Sequence, residues 1–288
     1  MNHVAATGRT TAGRTTTDRT TAGALTYIVR QEEKPYFLSS ALTGGQPEVH
    51  FKTEQHTVTI RDLRNIAADI DREGFELMRA PSAIRDFYDG DEVDTAYNAE
   101  VVALLKQRFG ASAVYIFDHT RRSDTGEGAN NPDGLRGPAT RVHCDYTDKS
   151  GPQRAKDAMG EAEYERAVAA GGRIVQINVW RPITGPVRRA PLALAAAASV
   201  PKADLIATDQ RFPDRTGEIY QLAYGEGHDW YYAPLMETGE VLLIKGWDSE
   251  HGLARYTPHG AFQLPDQDPS APPRESIETR TFLVIGAA

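Results

Sequence analysis

The chain has 288 residues, enough to bury a substantial core as one large domain or two small ones. Its 40% hydrophobic and 25% charged residues, with 25 Gly and 17 Pro, exclude collagen-like and wholly disordered chains. A formal charge of −8, from 32 basic and 40 acidic residues, gives no counterion-release advantage on a polyphosphate and argues against a nucleic-acid partner. The single cysteine, Cys144, leaves no intramolecular disulfide and no thiolate zinc site, and fits a reducing, cytoplasmic setting.

In chain order, residues 1–23 are a Thr/Arg/Gly/Ala mixture in which TAGRTTTDRTTAG nearly repeats itself. With almost nothing apolar to pack, they read as a disordered tail, and residues 24–288 as one domain. A transit peptide is the weaker alternative, since the tail lacks an apolar helical face. Strands are predicted at 24–30 and 56–60, a short helix at 61–71 and a strand at 74–78. Val101, Leu104, Leu105 and Phe109 recur at helical spacing before Gly110, which predicts a helix over 97–108. A strand at 113–118 precedes a Gly/Asp/Asn/Pro-rich loop at 121–138, in which Arg121 and Arg122 read as solvated charges.

Strand character returns at 140–146, and a charged, Ala-rich helix over 149–170 is a candidate lid. The apolar stretch 190–201 is too short to cross a bilayer and reads as a buried helix, so no membrane partner is expected. Short strands then dominate at 173–180, 219–224, 229–232, 241–245, 256–262 and 277–285. The expected fold is mainly β with added helices, a sandwich or jelly roll.

The chemistry centres on His143-Cys144-Asp145. On a strand, alternation puts His143 and Asp145 on one face, about 7 Å apart at the backbone, so both can reach one metal. Two His and one carboxylate leave three open positions for a co-substrate and dioxygen. The inert alternative is a surface His beside an Asp. His119, His228, His251 and His259 remain as third ligands; His259, in YTPHGAF, has the small Gly260 beside it, whereas His251 reads as a turn residue. Downstream, Arg274, Ser276 and Arg280 fall at even spacing on one strand face, where an arginine can pair with a far carboxylate of a dicarboxylic co-substrate.

The blocks FDHTRR, HCDYT, NVWRPI with the following PLAL, HDWYYAPLM, EVLLIKGWDSE, RYTPHGAF and RESIETR, taken together, resemble the nonheme iron oxygenases grouped with cephamycin-pathway methoxylase components and fungal gibberellin desaturase. The resemblance runs from about residue 24 to residue 285. It implies a double-stranded β-helix in which His143, Asp145 and His259 hold Fe(II), 2-oxoglutarate chelates the iron and O2 is the oxidant. The implied reaction is hydroxylation or desaturation of a small, secondary-metabolic molecule. Arg274 with Ser276 reproduces an Arg-x-Ser pattern common among such enzymes, although fifteen residues after His259 is farther than usual. Arg280, followed only by a short apolar strand end, is the favoured co-substrate arginine.

Trp180, Trp230, Tyr231 and Tyr232 are candidate walls of a substrate pocket, with Arg181 and Lys245 as further contacts. Core packing and surface ion pairs are their inert alternatives. Two other functions use the same residues: a redox-neutral metal enzyme, and a jelly-roll binding module without catalysis. Oligomeric state has no signature in the sequence.

Overall fold

Period-two alternation in the second half of the chain builds two facing sheets in the computed structural model, which describes residues 19–44, 47–132 and 134–286. The larger sheet runs, neighbour to neighbour, Thr20–Ile28, Thr53–Asp62, Trp230–Tyr232, Leu192–Ala195, His259–Ala261, His143–Cys144, Thr216–Leu222, Leu205–Arg211, Tyr36–Leu38 and Glu48–His50. The smaller runs Phe75–Arg79, Glu240–Asp248, Arg173–Pro182, Glu275–Ile285 and Ala111–Ser123. One face of the smaller sheet, through Ile177, Val179, Leu243 and Ile277, packs against Val101 and Leu105 of the helix Asn98–Phe109. From its other face, Trp180, Leu242 and Ile244 meet Leu192 and Leu194 of the larger sheet. Helices outside and two β layers inside give the jelly-roll architecture expected from the strand pattern. Among the described residues, no helix is long and apolar enough to cross a membrane.

Several local expectations are corrected. Thr20–Ile28 begins its strand inside the supposed tail, pairing Thr20 with Arg61 and Gly23 with Val58; residues 1–18 lie outside the described residues. Gly23 suits this strand because a Cβ there would fall 2.6 Å from both Ile60 and Phe262. The helix expected at 61–71 is only the 3-10 turn Leu63–Asn65, whose Arg64 backbone N–H donates to the Asp62 carboxylate at 2.8 Å.

The stretch 190–201 contains the strand Leu192–Ala195 and the 3-10 turn Ala197–Ser199 instead of a helix. That strand is buried throughout, and a uniformly apolar run carries no period to separate strand from helix. The helix expected over 149–170 is interrupted at Gly160 into Ser150–Met159 and Glu161–Ala169. Finally, Ala111–Ser123 continues through Arg121 and Arg122, so these arginines belong to a strand and not to a loop.

Candidate metal centre

His143 sits on the two-residue strand His143–Cys144, held by Gln221 on one side and by His259 on the other. Because His259 is the direct cross-strand partner of His143, the two rings share a face, with centroids 4.6 Å apart. Asp145 follows two residues after His143, and ligand atoms of His143, Asp145 and His259 all lie within 4.8 Å of one another. The three side chains thus converge as the sequence led one to expect, but the strand expected over 140–146 is only two residues long and Asp145 lies in the bend past its end.

Tautomers follow from the hydrogen bonds. Nδ1 of His143 faces the carbonyl of Arg141 at 2.9 Å, and Nδ1 of His259 faces the carbonyl of Thr257 at 2.9 Å. A carbonyl only accepts, so each Nδ1 carries a proton and Nε2 is the ring nitrogen left for a metal. Burial, reinforced by the neighbouring His259, pushes His143 down to about 3, so this imidazole is neutral near pH 7. Burial alone would raise Asp145, but Arg280, His259, His143 and the Asn178 amide outweigh it and keep the carboxyl below its ordinary range. The carboxylate oxygen Oδ1 lies 3.6 Å from His143 Nε2. Two imidazoles that turn Nε2 toward one ionised carboxylate fit a divalent nonheme iron with open positions.

The other histidines are engaged elsewhere. His119 bonds Thr279 at 2.9 Å, His228 pairs with Asp204 at 2.9 Å, and His251 stands exposed in a turn beside Arg255.

Glu275–Ile285 and Arg274 just before it supply the neighbouring charges. Arg280 lies opposite Asn178, whose amide donates to Asp145 Oδ2. The Arg280 guanidinium already pairs with Asp118 at 2.6 Å and with Glu278 at 2.8 Å. Arg274 differs. It is 2% exposed, its Nε and Nη2 have no hydrogen-bond partner, and its guanidinium carbon lies 5.7 Å from the centre of the Trp180 ring. Burial, with Arg122 adding repulsion, lowers it to about 10. Ser276 is buried between Pro182 and Arg122.

Trp180 and Tyr231 are thus the proposed pocket residues placed on the inner face. Trp230 and Tyr232 are not: Tyr231 pairs with Leu194, as does His259, whereas Trp230 pairs with Ala195, so Trp230 and Tyr232 point to the opposite face. There they pack with Tyr27 and Phe262. Arg181, one residue out of phase with Trp180, bonds the Thr238 carbonyl at 3.0 Å and lies over Tyr97. Lys245, fully buried, is paired with Asp71 at 2.7 Å and Asp248 at 2.8 Å, which leaves it bound within the protein.

Sequence reasoning missed Gln176 and Asn178, and took the strand residue Arg122 for a solvated loop charge. Their signal was period two: Gln176 and Asn178 are polar residues at alternate positions within the apolar run Ile174 to Trp180, and Asp118, Thr120 and Arg122 alternate in FDHTRR.

A family model described as an oxidoreductase/YMDC permease-like domain matches residues 25–284. The chain is 35% identical to the alpha-ketoglutarate-dependent dioxygenase phiK of a fungal species over 238 residues, covering 80% of this chain and 84% of the relative. It is 31% identical to the hydroxylase/desaturase efuI of Hormonema carpetanum, covering 85% and 89% of the two chains. A solved structure of the iron and alpha-ketoglutarate-dependent endoperoxidase NvfI superposes with a TM-score of 0.80 at 28% identity, over 93% of this chain and 98% of that one. With its jelly roll and its His/Asp/His cluster, the chain belongs to the nonheme iron(II)- and 2-oxoglutarate-dependent oxygenases.

Proposed function

We propose that His143, Asp145 and His259 are the iron ligands, and that Arg274 with Ser276 takes the far carboxylate of 2-oxoglutarate. The observation that carries the ligand assignment is the pair of Nδ1–H donors spent on the Arg141 and Thr257 carbonyls, which leaves both Nε2 lone pairs available beside the Asp145 carboxylate. Iron with bound 2-oxoglutarate and O2 supplies the oxidising power to remove hydrogen from carbon. The chain's part is to hold and orient. Arg280, beside Asp145 and opposite Asn178, keeps the ligand carboxylate ionised.

Arg274 is favoured over Arg280 for the co-substrate because a buried guanidinium with unused donors is costly until an anion arrives, and Arg280 has its carboxylates already. Its guanidinium turns back over Trp180, two residues along the strand from Asn178, toward the level of the ligands. Trp180 and Tyr231 are the aromatic residues of the original pocket set on the inner face, and a small organic substrate is hydroxylated or desaturated beside them. The acidic balance supports a small-molecule partner over nucleic acid, and the lone cysteine supports a reducing, cytoplasmic setting.

Anaerobic iron binding tests the ligand set. His143→Ala, Asp145→Ala and His259→Ala each lose the metal while keeping the fold, and His251→Ala binds as the unaltered protein does. Retention of iron by His259→Ala together with its loss in His251→Ala overturns the assignment.

A further inference from the structure

We infer that Gln176 and Asn178 form an amide chain that fixes the Asp145 carboxylate for ligation through one oxygen, making Asn178 a positioning residue of the metal centre. The inference rests on the ligand set proposed above. Both amides are 0% exposed, and they occupy successive positions on the inner face of Arg173–Pro182, whose other residues on that face, Ile174, Trp180 and Pro182, are buried and apolar. A leucine at either position would fill such space without leaving polar atoms to satisfy.

The direction of the chain is set by chemistry. An ionised carboxylate only accepts, so Asn178 must present its Nδ2 to Asp145 Oδ2, which turns its own Oδ1 back along the strand. Gln176 Nε2 donates to that oxygen at 2.6 Å. Each amide therefore spends a donor toward Asp145, and the unmatched acceptor is pushed to the far end, where buried Gln176 Oε1 has no partner. With Oδ2 held from outside, Oδ1 is the oxygen left facing His143 Nε2.

The adjoining strand makes room for this arrangement. Gln176 pairs with Trp247 and Ile177 with Lys245, so Gly246 is the extra residue of a β-bulge. A Cβ on Gly246 would fall 1.9 Å from Gln176 Oε1. Only glycine permits the amide to lie there, and Lys245, bound to Asp71 and Asp248, holds the bulge from its N-terminal side.

Anaerobic Co(II) titration of the metal-free protein, read by calorimetry and by the visible Co(II) bands, tests this beside thermal melts without metal. Asn178→Ala is expected to weaken Co(II) about 10- to 100-fold and to alter the bands, as loss of an outer partner of a metal ligand does. Gln176→Met, close in shape but without a donor, is expected to lose a smaller factor, roughly 3- to 10-fold, with an unchanged metal-free melting temperature. Gly246→Ala should resemble Gln176→Met, because it displaces the same amide. Should Asn178→Ala not fold, Gln176→Met decides. Unaltered affinity and bands in these variants, alongside lost binding in His143→Ala, overturn the amide chain and leave the ligand set standing. Affinity losses that merely follow lower metal-free stability also overturn it. If the unaltered protein and His143→Ala both fail to bind Co(II), the ligand set falls and the amide chain with it.

Discussion

Arg274 stands just before the strand Glu275–Ile285 and Arg280 within it, and their surroundings separate them. Asp118 and Glu278 neutralise Arg280, while two nitrogens of buried Arg274 have no acceptor. Replacing Arg274 by Lys keeps the charge and loses the planar fork, so the Michaelis constant for 2-oxoglutarate should rise about tenfold or more with a smaller change in kcat. Arg280→Lys should leave that constant nearly unchanged and lower thermal stability instead, since it disturbs the pairs with Asp118 and Glu278. Steady-state kinetics with 2-oxoglutarate varied, together with melts, separates the two; a large rise for Arg280→Lys alone would restore Arg280 as the clamp. Both arginines were legible from their even spacing in RESIETR. Which one is free was not, because Asp118 reaches Arg280 from a strand 162 residues away in sequence.

Strands show where reading by alternation succeeds and where it fails. In His143-Cys144-Asp145 the ligand residue types themselves fix the phase, so the shared face was legible. In Trp230-Tyr231-Tyr232 three aromatics offer no phase at all, and only the pairing of Tyr231 with Leu194 shows which ring faces inward. Lys245 was ambiguous for another reason: its partners come from two segments, the loop carrying Asp71 and the end of its own strand at Asp248. Arg173 joins both acids, tying Arg173–Pro182 and Glu240–Asp248 to the turn before Phe75–Arg79.

This cluster carries a pH signature. Partial burial opposes ionisation of Asp71, but hydrogen bonds from Arg173 and Lys245 outweigh it and lower the carboxyl from 3.8 to about 2. A carboxyl lowered on folding contributes stability that is complete above its unfolded value and disappears as pH falls through the folded one. Melting temperature should therefore decline more steeply between about pH 4 and pH 2 in the unaltered protein than in Asp71→Asn, which starts less stable at pH 7 and has lost this part of the slope. Parallel curves would show that the Asp71 pairs contribute nothing to folding.

At the scale of the whole molecule, the two sheets bring together residues far apart in the chain. His259 is 116 positions after His143, yet directly opposite it in the larger sheet, and Asn178 reaches Asp145 from the smaller one. The strand-rich pattern of the second half made the sandwich legible; its central strand Leu192–Ala195 was hidden because burial on both faces erases alternation. The family follows from the relatives and the solved neighbour, and the central claim is narrower: His143, Asp145 and His259 hold the iron to which 2-oxoglutarate binds. Anaerobic addition of Fe(II) and then 2-oxoglutarate, followed by visible absorption, tests it most directly. The account predicts a weak charge-transfer band that saturates at one equivalent of iron per chain and is absent from His143→Ala, Asp145→Ala and His259→Ala; a band of undiminished strength in any of these three variants would contradict it.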